Sequence, residues 1–244
     1  MKAIAGFRGW PWWKKATSLA RRPLRRAHRQ FRSFPLRPYR TIMDVGAFEG
    51  EFTRLALDYL EPVNVWMIEA NPEQASRLKT AFAHETSCRV INAAIAGITG
   101  EVRFHVSHHL PSSSLLPIQL ASASHFGKDL SESKEVSVSG FRLDDLFVQQ
   151  SIPAIDLMKV DIQGAERMLI EGGHHALEKV GVLCIEVLFE ELYEGCALFG
   201  EIHALLLARG FHLHSLHGFR RGPAGFLLYG DAIYERISAP TPHD

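Results

Sequence analysis

From residue 41 onward, short apolar runs alternate with amphipathic stretches, and the alternation predicts the elements in turn. Residues 41–45 read as a strand that ends at Gly46, and 50–59 as an amphipathic helix. A strand over 63–69 follows, then a helix over 72–83 with Pro72 in its first turn, where a missing N–H does no harm. Residues 89–93 make a third strand, and two extended pieces, 102–107 and 135–139, flank a serine-rich loop. Residues 155–161 make a fourth parallel strand with 165–171 as its helix, and 182–187 is apolar enough to run centrally in a sheet. A helix near 197–209 leads to a strand at 211–216, and 225–234 makes a last strand, paired antiparallel across the loop 217–224. This order predicts an α/β fold: a Rossmann-like, doubly wound, mostly parallel sheet with a last antiparallel strand.

Charge separates the first 40 residues from this pattern. They hold twelve Lys or Arg and no Asp or Glu, leaving 15 against 27 in the rest. The expected organisation is a basic, Trp/Arg-rich segment 1–40, one domain over 41–237 and a tail at 238–244. An acidic body argues against a broad nucleic-acid surface, which needs clustered positive charge. Trp10, Trp12 and Trp13 beside Lys14 and Lys15 leave two readings of the arm open. It is a tail packing aromatics on the domain, or a peripheral membrane contact with Trp at headgroup level. No window approaches a membrane span and no apolar leader precedes the charges, so the cytoplasm is the expected location. The widely spaced Cys88, Cys184 and Cys196 indicate neither a zinc knuckle nor a redox pair. No metal is expected: His212 and His214 share a strand face without a partner carboxylate, and His174–His175 sit at a helix end, where a cation is favourable.

In a doubly wound sheet, ligands bind at the carboxyl ends of the strands. The first strand ends in D-V-G-A-F-E-G at 44–50, where Gly46 and Gly50 permit a tight turn and close backbone approach. The G-x-G-x-x-G spacing of a dinucleotide site is absent, which suits a nucleoside ligand without pyrophosphate better than NAD. Glu69 ends the second strand, where this fold grips a ribose diol; its other reading is a cap for the next helix. Asn92 and Ala93 follow the third strand, the small residue leaving room for a flat base and the amide facing a base edge. In K-V-D-I-Q-G-A-E at 159–166, Asp161 faces the centre of the crevice and Glu166 lies one helical turn on. Glu186, in an otherwise apolar strand, is either site-facing or paired.

These motifs, in this order, resemble the FkbM family of S-adenosylmethionine-dependent methyltransferases. D-V-G-A-F-E-G-E-F-T at 44–53, I-E-A-N-P at 68–72, N-A-A-I at 92–95, S-S-S-L-L-P at 112–117 and F-R-L-D-D-L-F at 141–147 followed by I-D-L-M-K-V-D-I-Q-G-A-E at 155–166 carry the resemblance over roughly 41–210. It implies S-adenosylmethionine as donor and a hydroxyl acceptor of glycan, glycolipid or secondary-metabolite type. Asp44, Gly46, Ala47, Phe48 and Gly50 would border the cofactor, Glu69 and Ala70 its ribose, Asn92 and Ala93 its base, and Asp161 the reaction crevice. The family often carries Asn where this chain has Phe48, an aromatic ring able to cover the cofactor. Asp161, Glu166 and His109 (or its neighbour His108) are the candidate bases, and the loop 107–127 is expected to cover the acceptor. Two rival expectations share the fold: a non-catalytic cofactor-binding protein and an NAD-type oxidoreductase.

Overall fold

The computed structural model describes residues 31–119 and 132–237; the arm up to residue 30, the loop 120–131 and the tail from 238 lie outside them. Strands β1 (Thr41–Val45), β2 (Asn64–Glu69), β3 (Cys88–Asn92), β4 (Ala94–Ile95), β5 (Gly100–Ser107), β6 (Glu132–Phe141), β7 (Ile155–Val160), β8 (Val180–Leu188), β9 (Phe211–Arg221) and β10 (Leu227–Arg236) form two sheets. The larger runs β3-β2-β1-β7-β8-β10-β9, parallel through β8, with β10 antiparallel to both its neighbours. Helices α1 (Glu51–Leu60), α2 (Pro72–Ala81), α3 (Leu143–Gln149), α4 (Glu166–Gly172), α5 (His174–Glu178) and α6 (Phe199–Ala208) cover it. None of the described helices is long and apolar enough to cross a membrane.

Alternation along the strands divides the core into two. Met43, Val45, Trp66, Ile68, Met158, Val160, Leu183 and Ile185 pack with Leu146, Leu169, Ile202 and Leu206 of α3, α4 and α6. Their neighbours Ile42, Val65, Met67, Leu157, Val182 and Cys184 pack on the other face with Ala56 of α1, Leu78 of α2, and Phe34 and Tyr39. Composition places the domain boundary at 40, but Phe34 and Tyr39 are buried in this second core and Ser215 Oγ donates to the Ser33 carbonyl at 2.9 Å. Phe31, the first described residue, also packs against this core.

The extended pieces around the serine-rich loop are more than connectors. β5 and β6 pair antiparallel and β4 joins them parallel, making a separate three-stranded sheet. Its core of Ala94, Phe104, Val106 and Val138 stands over the carboxyl ends of the first strands. β9 and β10 run further than periodicity predicts, so their connection shrinks to a few residues around Gly225. His174 and His175 open α5 and lean on Glu178, each Nδ1 3.8 Å from a carboxylate oxygen. They follow the end of α4, as expected, and also begin a short second helix that the sequence pattern does not announce.

Gly50 caps α1 in the left-handed region, and a Cβ there would lie 2.5 Å from the buried Phe82 ring. Backbone conformation and packing against Phe82 both require glycine here. Gly50→Ala should cost about 2–3 kcal/mol, strain and overpacking together, whereas Gly97→Ala, which meets open space, should stay within about 0.5 kcal/mol. Equilibrium urea unfolding of the two variants checks the contrast.

Candidate functional site

The carboxyl end of β1 is drawn tightly between its neighbours. Gly46 and Ala47 N–H both donate to the Ile68 carbonyl, at 2.9 and 3.0 Å, and Asp161 N–H donates to the Val45 carbonyl at 3.0 Å. Gly46 sits at φ +80°, and a Cβ on it would fall 1.8 Å from the Asp161 carbonyl oxygen. No side chain fits there. The close approach opens a cavity of about 580 Å³, partly open to solvent, between the strand ends and the small sheet.

Glu69 forms one end of this cavity. Its Oε2 accepts from Phe48 N–H and its Oε1 from Asn71 N–H, both at 2.8 Å. Phe48 reaches Glu69 by adopting φ +46°, a left-handed conformation that suits Asn or Gly better than an aromatic residue. The cap of α2 is Asn71, whose side chain accepts from Glu73 and Gln74 N–H. The capping reading of Glu69 thus falls away, and each of its oxygens keeps a lone pair for a further donor. Burial pushes its carboxyl up from the ordinary range, against the backbone N–H groups of Asn71, Phe48 and Ala70. An apolar strip of Val45, Ile68, Ala93, Ile95, Phe104 and Leu115 runs from Glu69 to Asp161 and Gln163 at the far end.

The structure brings Gly46, Phe48, Glu69, Ala70, Ala93 and Asp161 to the cavity. The other predicted residues lie elsewhere, for reasons packing supplies. Asp44 is buried beneath α1, accepts from Thr53 Oγ1 at 2.7 Å, and is pushed up to about 6 by burial. Ala47 belongs to the second core, and Gly50 faces Phe82. Asn92 turns its amide back onto the Glu69 and Ala70 carbonyls, at 2.9 and 3.1 Å, which removes the donor expected for a base edge. His109 Nδ1 sits 2.9 Å from Ser112 Oγ and does not line the cavity, although the adjoining Leu110 and Pro111 do. Glu166 is buried with Oε1 accepting from Ile162 N–H at 3.2 Å. The described part of the loop 107–127 does wall the cavity, through Leu110, Pro111, Ser113 and Leu115.

Beside Asp161 lies a row of polar groups on one sheet face. Lys159, almost fully buried, has Nζ 3.5 Å from Asp161 Oδ2 and 3.6 Å from Asp231 Oδ1. Burial pulls its ammonium toward neutrality, but the Asp161 and Asp231 carboxylates outweigh burial and hold it charged, well above the usual lysine range. Glu186 is paired as well as site-proximal: Gln163 Nε2 donates to its Oε2 at 2.9 Å and to Asp161 Oδ1 at 2.5 Å. Burial, then the charge of Asp161, raises Glu186 well above the carboxylate range. Asp231 stands opposite both Glu186 and His217 in the strand register, with His217 Nδ1 3.8 Å away. Asp231 escapes a reading by motif because only strand register brings it here, and Gln163 and Ser114, though inside the motifs at 159–166 and 112–117, acquire their partners only where the turns meet. Among the described residues, the one group of side chains placed to share a metal ion is the exposed His174, His175 and Glu178, none of which lines the cavity.

Residues 44–213 match the model of the methyltransferase FkbM domain. The chain is 29% identical over 176 residues to the 2-O-methyltransferase NoeI of Sinorhizobium fredii (strain NBRC 101917 / NGR234), covering 70% of this chain and 72% of that one. It is 26% identical over 197 residues to the 31-O-demethyl-FK506 methyltransferase FkbM of Streptomyces tacrolimicus, covering 72% and 74%. Its fold is similar to the crystal structure of the methyltransferase FkbM from Methylobacillus flagellatus KT, with a TM-score of 0.53 at 16% identity over 83% of this chain and 44% of that one.

Burial raises Glu166 to about 7 from its ordinary 4.5, so between those pH values the folded chain holds a proton that the unfolded chain has lost. Stability should therefore fall as pH rises through that window and level off above it. In Glu166→Gln, whose amide oxygen still accepts from Ile162, this loss of up to about 3 kcal/mol should disappear. Urea midpoints at pH 5 and pH 8 measure it, and an identical slope in both proteins would mean the carboxyl is not the source.

Proposed function

The chain belongs to the FkbM methyltransferase family, whose members are S-adenosylmethionine-dependent O-methyltransferases, and we propose that it methylates a hydroxyl of a polyhydroxylated, glycan-type acceptor. The observation that carries the cofactor end of this reading is Glu69. A buried carboxylate held by two backbone amides, with lone pairs left toward a cavity, is built to accept from two adjacent hydroxyls. Ala93, Ile68 and Phe104 offer flat apolar contact for the adenine, and the Asp161 end suits the positive charge at the ligand's other end. The residues present thus fit S-adenosylmethionine.

The bound cofactor supplies a methyl group already activated on a sulfonium. What remains for the chain is to orient the acceptor oxygen, exclude water and take up a proton. Asp161 is the carboxylate at the cavity wall, and it accepts the hydroxyl proton in this reading. Leu110, Pro111 and Leu115 shield the reacting end from water. Besides Asp161, Ser113, Gln163 and Asn71 add polar side chains to the cavity lining, which favours a ring bearing several hydroxyls over an apolar alcohol. We place the enzyme in the cytoplasm, with the basic arm against an anionic membrane surface where such acceptors are lipid-linked.

Calorimetry should show micromolar S-adenosylmethionine binding that weakens at least about thirtyfold in Glu69→Ala, the scale of two hydrogen bonds to a charged group. Because burial raises the Glu69 carboxyl, wild-type affinity should also fall as acid protonates it. No binding by the folded wild type would sink the cofactor assignment. Labelled-methyl transfer to a panel of methyl glycosides, with simple apolar alcohols alongside, tests the acceptor class: transfer to the alcohols alone refutes it. Asp161→Asn should lower turnover about a hundredfold or more, and unchanged turnover removes Asp161 as the base. Liposome flotation of full-length and arm-deleted protein on anionic vesicles tests the arm, and equal flotation rejects it.

A further inference from the structure

Tyr193 lies between β8 and α6, outside the strands that build the cavity, yet its side chain is fully buried and its hydroxyl reaches the site. Its Oη is 2.5 Å from Gln163 Oε1 and 3.2 Å from the Ser112 carbonyl. Its ring closes over Gly164, where a Cβ would come within 2.9 Å of it. Gln163 occupies a left-handed backbone conformation at φ +55°, and the Ser114 hydroxyl donates to its carbonyl at 2.6 Å. Backbone and side chain of this residue are thus both held from outside the turn.

A carboxamide presents an acceptor on one side and donors on the other, and its neighbours decide which way it faces. The Tyr193 hydroxyl donates to Oε1, which leaves Nε2 to face Asp161 Oδ1 and Glu186 Oε2. Turned the other way, the amide would set its oxygen against two carboxyl groups and leave the buried tyrosine hydroxyl only the longer contact to the Ser112 carbonyl. We propose that Tyr193 is a positioning residue for methyl transfer, acting through Gln163 to hold Asp161 and Glu186 in one arrangement at the cavity wall. The inference rests on the reading of Asp161 as the carboxylate that serves the acceptor hydroxyl. It also explains why the Ser112–Ser114 segment, which walls the cavity, is tied to the same two residues. The cover and the carboxylate share one anchor.

The charged and titratable groups around Asp161 come from every packed element: Lys159 on β7, Asp44 on β1, Glu166 on α4, Glu186 on β8 and Asp231 on β10, with His217 of β9 behind Asp231. Tyr193→Phe alters none of these charges and keeps the ring, so it removes one hydroxyl and little else. Carbon-13 carboxyl titrations of the full chain, assigned with Asp161→Asn and Glu186→Gln, read the network without any acceptor. In Tyr193→Phe the Glu186 midpoint should move upward by about half a unit or more, because Gln163 is no longer held as its donor. S-adenosylmethionine affinity should stay within about twofold, and turnover of whichever glycoside the wild type methylates should fall about tenfold at unchanged KM for the cofactor. On a Gln163→Leu background, Tyr193→Phe should add nothing, since its route is gone. Unmoved titrations in Tyr193→Phe, or effects that add in the double variant, overturn the proposal. A wild type that binds cofactor but methylates no acceptor would overturn the functional reading instead, while the titrations still decide whether Tyr193 acts through Gln163.

Discussion

Gly46 touches the backbone of Asp161, and the site depends on that contact. A Cβ on Gly46 would overlap the Asp161 carbonyl oxygen, so the ends of β1 and β7 can approach only because the side chain is missing. The same short segment hands two N–H groups to Ile68 and accepts one from Asp161, which ties β2, β1 and β7 together where they end. Phe48, two residues on, is thereby aimed at Glu69, and the opposite end of the cavity is set by where Asp161 emerges. One backbone approach positions both carboxylates that define the cavity.

Electrostatics then divides the labour among groups that look alike in the sequence. Several carboxyl groups surround a single buried ammonium, Lys159, which directly faces Asp161 and Asp231. Lys159 offsets only part of the burial of Glu186 and Glu166, and burial lifts both, as it lifts Asp44. Gln163 Nε2 donates to both Asp161 and Glu186, so the two carboxyl groups share one donor. A buried charge is tolerated where it is paired and hydrogen-bonded, and here the pairing also presents Asp161 to the cavity.

The small sheet of β4, β5 and β6 supplies what a doubly wound sheet alone lacks, a wall over its crevice. Phe104, Leu115 and the turn at Leu110–Ser112 face the strand ends, and hydrogen bonds from Ser114 and Tyr193 fasten that wall to the turn after β7. Water exclusion and placement of the carboxylate are therefore structurally joined. This accords with chemistry in which the methyl group is already activated and alignment in a dry site is the main task.

Period-two and period-3.6 patterns are local, and they alone determined the parallel strands, the flanking helices and the positions of Gly46, Glu69 and Asp161 at strand ends. The family motifs are local too, which is why family and cofactor are legible in the sequence. Asn71 could not be told from Glu69 as the cap of α2, nor Asn92 as a backbone-bonded turn residue, because each outcome depends on which donor lies within hydrogen-bond reach. Phe34 and Tyr39 read as part of a basic arm until packing put them in the core. Tyr193 and Asp231 carry no motif and meet the site only through strand register and the path of the chain from β8 to α6. The sequence by itself determined the architecture and the chemistry at the ends of the strands, since those follow from neighbours along the chain. Which carboxylates are paired, which are lifted by burial and what holds them was decided by the tertiary structure, because those properties arise from distances between residues far apart in sequence.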